Sequence, residues 1–126
     1  MVRKKYLILT AEEWVRQNFI HYLYKEKKYP LGLMRVEQIV RYNDMRKRAD
    51  IVLYNTEGNP RMIVECKSLE IDITQETFYQ IAKYNSQLHV DFLVLTNGLH
   101  HFCCKIDYLN NQIDFLDKIP GYESVA

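Results

Sequence analysis

The sequence predicts an α/β domain: a mixed β-sheet with helices packed against it. Three observations predict this class. Residues 10–28 carry apolar side chains at helical spacing. Residues 33–67 hold three β-prone runs. The stretch between 67 and 90 is long enough for a helical crossover to the apolar run "VDFLVLTN" at 90–97, so the strands it joins can lie parallel.

The elements follow in order. Thr10 is a candidate N-cap, and Glu13 falls three residues later, as in a capping box. Val15, Phe19 and Leu23 then recur on one face, and Pro30 and Gly32 end the helix. Residues 33–42 read as a strand. After a basic turn, residues 49–54 and 61–67 read as a hairpin around Gly58 and Pro60. Thr74 caps a second helix that runs to about Ser86. The run at 90–97 suits a strand buried on both faces, and Gly98 breaks it. "LHHFCCKID" and "QIDFL" read as a last strand pair with Asn110 and Asn111 in its turn.

The chain has 126 residues, which suits a single domain over 1–126. Apolar residues make up 48% and charged residues 26%, an ordinary globular mix that argues against disorder. No apolar run approaches the roughly 20 residues of a membrane span. "YLILT" follows Arg3, Lys4 and Lys5 but is too short for a signal peptide. A cytoplasmic protein with no membrane partner is expected. Cys66, Cys103 and Cys104 are odd in number and two are adjacent, unlike a disulfide framework. "HHFCC" lacks the ligand spacing of a zinc site and reads as a strand with small buried thiols. Net charge is +1, so no overall field advertises a polyanion partner. Lys25, Lys27 and Lys28 form one basic cluster and Arg46, Lys47 and Arg48 another.

Chemistry is suggested by charges inside the hairpin "RADIVLYNTEGNPRMIVECKS" (48–68). With Asn55–Pro60 as the loop, Tyr54 faces Arg61 and Asp50 faces Glu65. Directly opposed residues on antiparallel strands share a face. Lys67 lies two residues after Glu65 and points the same way, whereas Cys66 points to the other face. Two opposed carboxylates repel, and a hard divalent cation offsets that repulsion. Mg²⁺ typically takes one or two carboxylates plus waters and phosphate oxygens. Lys67 could orient or deprotonate a water, or neutralise charge developing on a phosphate. Together these groups suit phosphodiester hydrolysis. The plainer alternative is that Lys67 only forms surface pairs with the two carboxylates.

Asp50 followed by Glu65-Cys66-Lys67 across a hairpin resembles the PD-(D/E)XK nuclease superfamily, with its restriction-endonuclease-like fold. Gln80 and Tyr84 supply a Q-x-x-x-Y pattern on the following helix. "EEWVRQNFI", "RADIVLY", "VECKS", "QIAKY" and "LVLTNG" together resemble the N-terminal nuclease domain of type I restriction enzyme R subunits, over about residues 10–120. The resemblance implies an αβββαβ core with further C-terminal strands. It implies Asp50, Glu65 and the Cys66 backbone carbonyl as Mg²⁺ ligands, with Mn²⁺ as a substitute. Lys67 would position the hydrolytic water. Gln80 and Tyr84, on one helix face, would border the site or touch DNA. A further carboxylate from the first helix would be Glu12 or Glu13. Glu12 is favoured, because Glu13 suits the capping box. Ala49 stands where the superfamily's eponymous proline would be, and proline there would only stiffen the start of the strand. The chain carries no G-x-x-x-x-G-K-[ST] phosphate loop. A motor activity is therefore not expected of this chain alone, which would be a stand-alone relative or an excised domain.

These features predict a Mg²⁺-dependent DNA endonuclease domain of the restriction type. Arg46, Lys47 and Arg48 would contact phosphates flanking the cut. Its partners would be DNA and restriction-modification subunits or a motor domain, and a double-strand cut would need a homodimer. The competing expectations are a catalytically silent nuclease-like module that binds nucleic acid or protein, and a small-molecule phosphohydrolase.

Overall fold

The structure, a computed structural model, describes residues 10–126. The stretch weighed as a signal sequence lies outside these residues, apart from Thr10. Helix α1 (Ala11–Lys27) starts at Thr10, whose Oγ1 accepts the Glu13 N–H at 3.1 Å. That hydroxyl donates in turn to Glu13 Oε1 at 3.0 Å. Glu13 is thus held at the cap, as its spacing predicts.

Strand β1 (Met34–Tyr42) follows a 3₁₀ turn at Leu31–Leu33. Strands β2 (Met45–Tyr54) and β3 (Pro60–Cys66) complete an antiparallel meander. Helix α2 (Gln75–Asn85), capped by Thr74, leads through a 3₁₀ turn at Ser86–Leu88 to β4 (Phe92–Thr96). Strands β5 (His101–Asp107) and β6 (Gln112–Leu116) and a short helix α3 (Tyr122–Val125) finish the chain. The sheet is mixed and ordered β1-β2-β3-β4-β5-β6, with β3 and β4 parallel. The crossover through α2 is what permits that parallel pair.

Helices cover both faces, giving an α/β/α arrangement. Val15, Phe19 and Leu23 of α1 pack on Ile51, Leu53, Met62, Val64, Cys66, Phe92 and Val94. Phe78 and Ala82 of α2 pack on the opposite face, on Val52, Ile63, Leu93 and Leu95. Every residue of β4 is buried, as its unbroken apolar sequence requires. Cys103 enters the α1 layer and Cys104 the α2 layer. Both thiols are buried and free, so "HHFCC" is the ordinary strand it resembles.

Three details differ from the sequence expectations. First, the basic residues are not in a turn. The β1–β2 turn is Asn43 and Asp44, and Arg46, Lys47 and Arg48 lie within β2. Asn43 takes the left-handed conformation (φ 53°) that such a two-residue turn needs. Second, Tyr54 pairs with Pro60 rather than Arg61, because the register shifts between Leu53 and Tyr54. The shift is local: Leu53↔Met62, Val52↔Ile63 and Ile51↔Val64 follow the expected register.

Third, facing does not alternate regularly along β2. Ala49 and Ile51 should share a face, yet Ala49 packs in the α2 layer and Ile51 in the α1 layer. The reversal falls at Asp50. Across the ribbon, Glu37 lies between the pairs Val36↔Ile51 and Gln38↔Ala49 and has a left-handed φ of 53°. Such a conformation in a strand re-aims the side chains that follow. Met34 and Val40 on β1 change layer in the same way.

Candidate active site

The fork between β2 and β3 is the centre of the site. Ladder pairing stops at Ile51↔Val64, and β3 continues against β4 alone as far as Cys66↔Thr96. One step further in the β2–β3 register Asp50 would face Glu65. The Asp50 carboxylate instead accepts the backbone N–H of Cys66 at 2.7 Å through Oδ2. A strand's N–H groups lie in the plane of the sheet, so Asp50 sits in the fork itself. The expectation of one shared face therefore needs correcting. Glu65 and Lys67 do share the α2 face, whereas Asp50 stands at the point where facing reverses.

Glu65, Lys67, Gln80 and Tyr84 line one cavity of about 240 Å³, together with Lys47, Ile81 and Asn85. Its geometry follows from two periodicities. Glu65 and Lys67 are two apart on a strand. Gln80 and Tyr84 are four apart on a helix, so they occupy one face above them. Tyr84 is exposed at the rim. Asp50 and Glu12 do not line this cavity. Cys66, as expected, points to the other face and is buried under α1.

Electrostatics connect these groups. Burial pushes the Glu65 carboxyl above its usual range; Lys47 opposes this, Asp50 adds to it and Lys67 opposes it. The Lys47 ammonium lies 2.6 Å from Glu65 Oε2 and forms an ion pair with it. The Cys66 thiol is pushed strongly up, chiefly by burial and then by Asp50 and Glu65. Arg16 opposes that rise and Glu12 adds to it. Asp50, Glu65 and Glu12 thus all act electrostatically on the Cys66 thiol, Glu12 from the exposed first turn of α1.

The three basic residues of β2 part company. Lys47 turns into the cavity. Arg48 points the other way and pairs with Glu37 at 2.6 Å, while Arg16 of α1 approaches the same carboxylate at 3.9 Å. Arg46 is exposed and lies opposite Arg41 on β1.

Two cavity residues are not expected there from the sequence, in which Lys47 reads as a contact to flanking phosphates. The other is Asn85, which is 1% exposed and whose Oδ1 and Nδ2 have no hydrogen-bond partner. A signal for Asn85 was present: it lies seven residues after Phe78, so an amide occupies the apolar stripe of α2.

The donor chemistry is compatible with a divalent cation. Glu65 is a largely buried carboxylate already paired with Lys47, and Asp50 adds a second within electrostatic reach. Among the described residues no three His, Cys, Asp or Glu side chains converge as a closed metal cage. An open site of two carboxylates and waters is the arrangement Mg²⁺ commonly takes.

A six-stranded mixed sheet between helices, with acidic and lysine side chains at a strand fork, defines a restriction-nuclease-like α/β domain. Residues 11–120 match the family described as "Type I restriction enzyme R protein N terminus", and the chain belongs to it. Two solved structures share the fold. One is a fragment of a chain provisionally described as an HsdR subunit of a type I restriction enzyme from Vibrio vulnificus YJ016. It superposes with a TM-score of 0.61 at 20% identity, over 92% of this chain and 24% of that one. This chain therefore spans about a quarter of that structure's length. The other is a provisionally described nuclease of the DUF820 group from Anabaena variabilis ATCC 29413, with TM-score 0.55 and 12% identity over 92% and 74% of the two chains. No curated protein matches the chain.

Proposed function

We propose that the domain is a Mg²⁺-dependent DNA endonuclease, with Mn²⁺ as an alternative ion, acting in a restriction-modification assembly in the cytoplasm. The observation that carries this reading is the joint opening of Glu65, Lys67, Gln80 and Tyr84 into one cavity beside Asp50. Asp50, Glu65 and the Cys66 carbonyl would hold the cation, which supplies Lewis-acid stabilisation of charge on the phosphate. Glu12, whose charge acts on the same Cys66 thiol, would complete the carboxylate set from α1. Lys67 would orient the attacking water by donating to its oxygen. The water oxygen bonds to phosphorus, one water proton passes to solvent, and the leaving sugar oxygen departs with its electron pair. Gln80 and Tyr84 would border the strand being cut. Arg46 and Arg48, exposed on β2, would meet flanking phosphates without reading sequence. The motor would be supplied by another part of the assembly, and a double-strand cut would need a second copy.

A second reading is a silent nuclease-like module that binds nucleic acid or protein. Lys47 favours it, because an ammonium already neutralises Glu65. Supercoiled plasmid incubated with Mg²⁺ or Mn²⁺ decides between the two. Nicking by the wild type, lost in Lys67→Ala, supports the nuclease. Equal plasmid binding by both proteins without any nicking supports the silent module.

A further inference from the structure

The fork leaves part of β2 without β3 beside it. From Ala49 back to Met45 the strand pairs only with residues 38–42 of β1. This two-stranded ribbon is about 16 Å long at roughly 3.3 Å per residue. Its two faces differ. On one, Val40 is buried in the α2 layer and Met45 packs against that layer. Tyr42 stacks there on His89, with ring centroids 4.1 Å apart, and Lys47 enters the cavity. On the other face, Ile39, Arg41, Arg46 and Arg48 are all exposed. Arg48 is held by Glu37. Arg41 and Arg46 stand directly opposite each other. Neither pairs with an acidic side chain among the described residues, Asp44 of the adjoining turn included. Like charges directly opposed across two strands destabilise the pairing, and nothing described in the fold offsets this pair.

We propose that this arginine face seats one backbone of a DNA duplex, with Arg41 and Arg46 each meeting a phosphate. This rests on the DNA reading above, and adds to it Arg41 and the ribbon that carries it. Phosphates supply the negative charge that the pair lacks, without regard to sequence. A protein partner would need an apolar centre, and Ile39 is the only apolar side chain on this face. The opposite face is fastened to the body through Val40, Met45 and Tyr42, so the arginines are presented on a braced element. Lys47 reaches the cavity from the same two strands. A backbone lying on the ribbon is therefore fixed relative to the candidate site.

The test is fluorescence anisotropy of the whole chain with a labelled duplex in EDTA, so that binding is read without cutting. Arg41→Ala and Arg46→Ala should each reduce the slope of log K against log salt by about 1, and the double variant by about 2. At roughly 0.1 M salt the double variant should bind about tenfold more weakly. Arg41→Glu places opposite charges across the ribbon, so its Tm should equal or exceed that of the wild type while its binding falls below that of Arg41→Ala. Lys25→Ala/Lys118→Ala removes the same charge from exposed positions away from the ribbon and should leave the slope within about 0.5. An unchanged slope and affinity in the double arginine variant overturn the proposal, and plasmid nicking then tells whether the nuclease reading stands without it. Equal losses in the lysine control overturn it in favour of overall charge. Arg41→Glu that dissolves a dimer without altering DNA binding makes the face a contact between copies and also overturns it. The expected slopes without any nicking by the wild type uphold the ribbon and remove the nuclease reading alone.

Discussion

Lys47 and Glu65 meet at 2.6 Å inside the cavity, from strands β2 and β3 that no longer pair at that point. The contact replaces a ladder that has ended. Removing the cation leaves a carboxylate that is only 13% exposed with Lys67 as its remaining neighbour of opposite charge. Lys47→Met should therefore cost about 1–3 kcal/mol at pH 7, less than a fully buried pair because Lys47 retains some solvent. The Lys47→Met/Glu65→Gln double variant should recover most of that loss. Urea unfolding of the four proteins gives the coupling directly.

Glu65 also sets a pH dependence. Its folded carboxyl is raised above the unfolded value of about 4.3, so the fold favours the protonated form. That contribution is fully present below the unfolded value and is lost as pH rises through the folded one. Glu65→Gln should match the wild type in stability near pH 4 and exceed it at pH 7, by about 2–5 °C in Tm. Parallel thermal melts from pH 4 to 8 measure this. A wild type that gains on the variant as pH rises would contradict it.

Asp50 has a structural duty separable from its charge. It accepts the Cys66 N–H, and an asparagine oxygen can do the same. Asp50→Asn should stay within about 1 kcal/mol of wild-type stability while nicking activity disappears. Asp50→Ala strands that N–H and should cost about 1–3 kcal/mol. Chemical denaturation beside the plasmid assay separates the two effects.

Arg46 lies exposed on β2 with Arg41 opposite and no acidic partner among the described residues. Arg46→Ala should leave Tm unchanged and weaken DNA binding. It should also reduce the slope of log K against log salt by about 1, as expected for one phosphate contact. Fluorescence anisotropy with a labelled duplex at several salt concentrations provides the slope.

The layers of the fold were legible because strong local signals coincide with burial. Thr10 and Thr74 cap the helices their spacing predicts. The apolar run at 92–96 is buried on both faces and pairs parallel with β3. Glu65, Lys67, Gln80 and Tyr84 were legible as a group because periods of two and of about four residues fix their directions. Asp50 was legible in position but not in facing. A left-handed Glu37 on the neighbouring strand turns the ribbon there, and no propensity marks a glutamate for φ 53°. Lys47 reads in the sequence as a phosphate contact, because it stands in one basic run with Arg46 and Arg48, which do face solvent. The same reversal carries it inward.

The fork has a consequence for how such a domain can change. The candidate site is fastened to a seam where β3 trades an antiparallel neighbour for a parallel one, rather than to a loop. Loops can be lengthened or exchanged without disturbing a seam, and so can the outer strands. Moving the seam by one residue would require rebuilding the crossover helix together with two strands. Change in this fold is therefore least disruptive at the periphery and most disruptive around residues 50, 65 and 67.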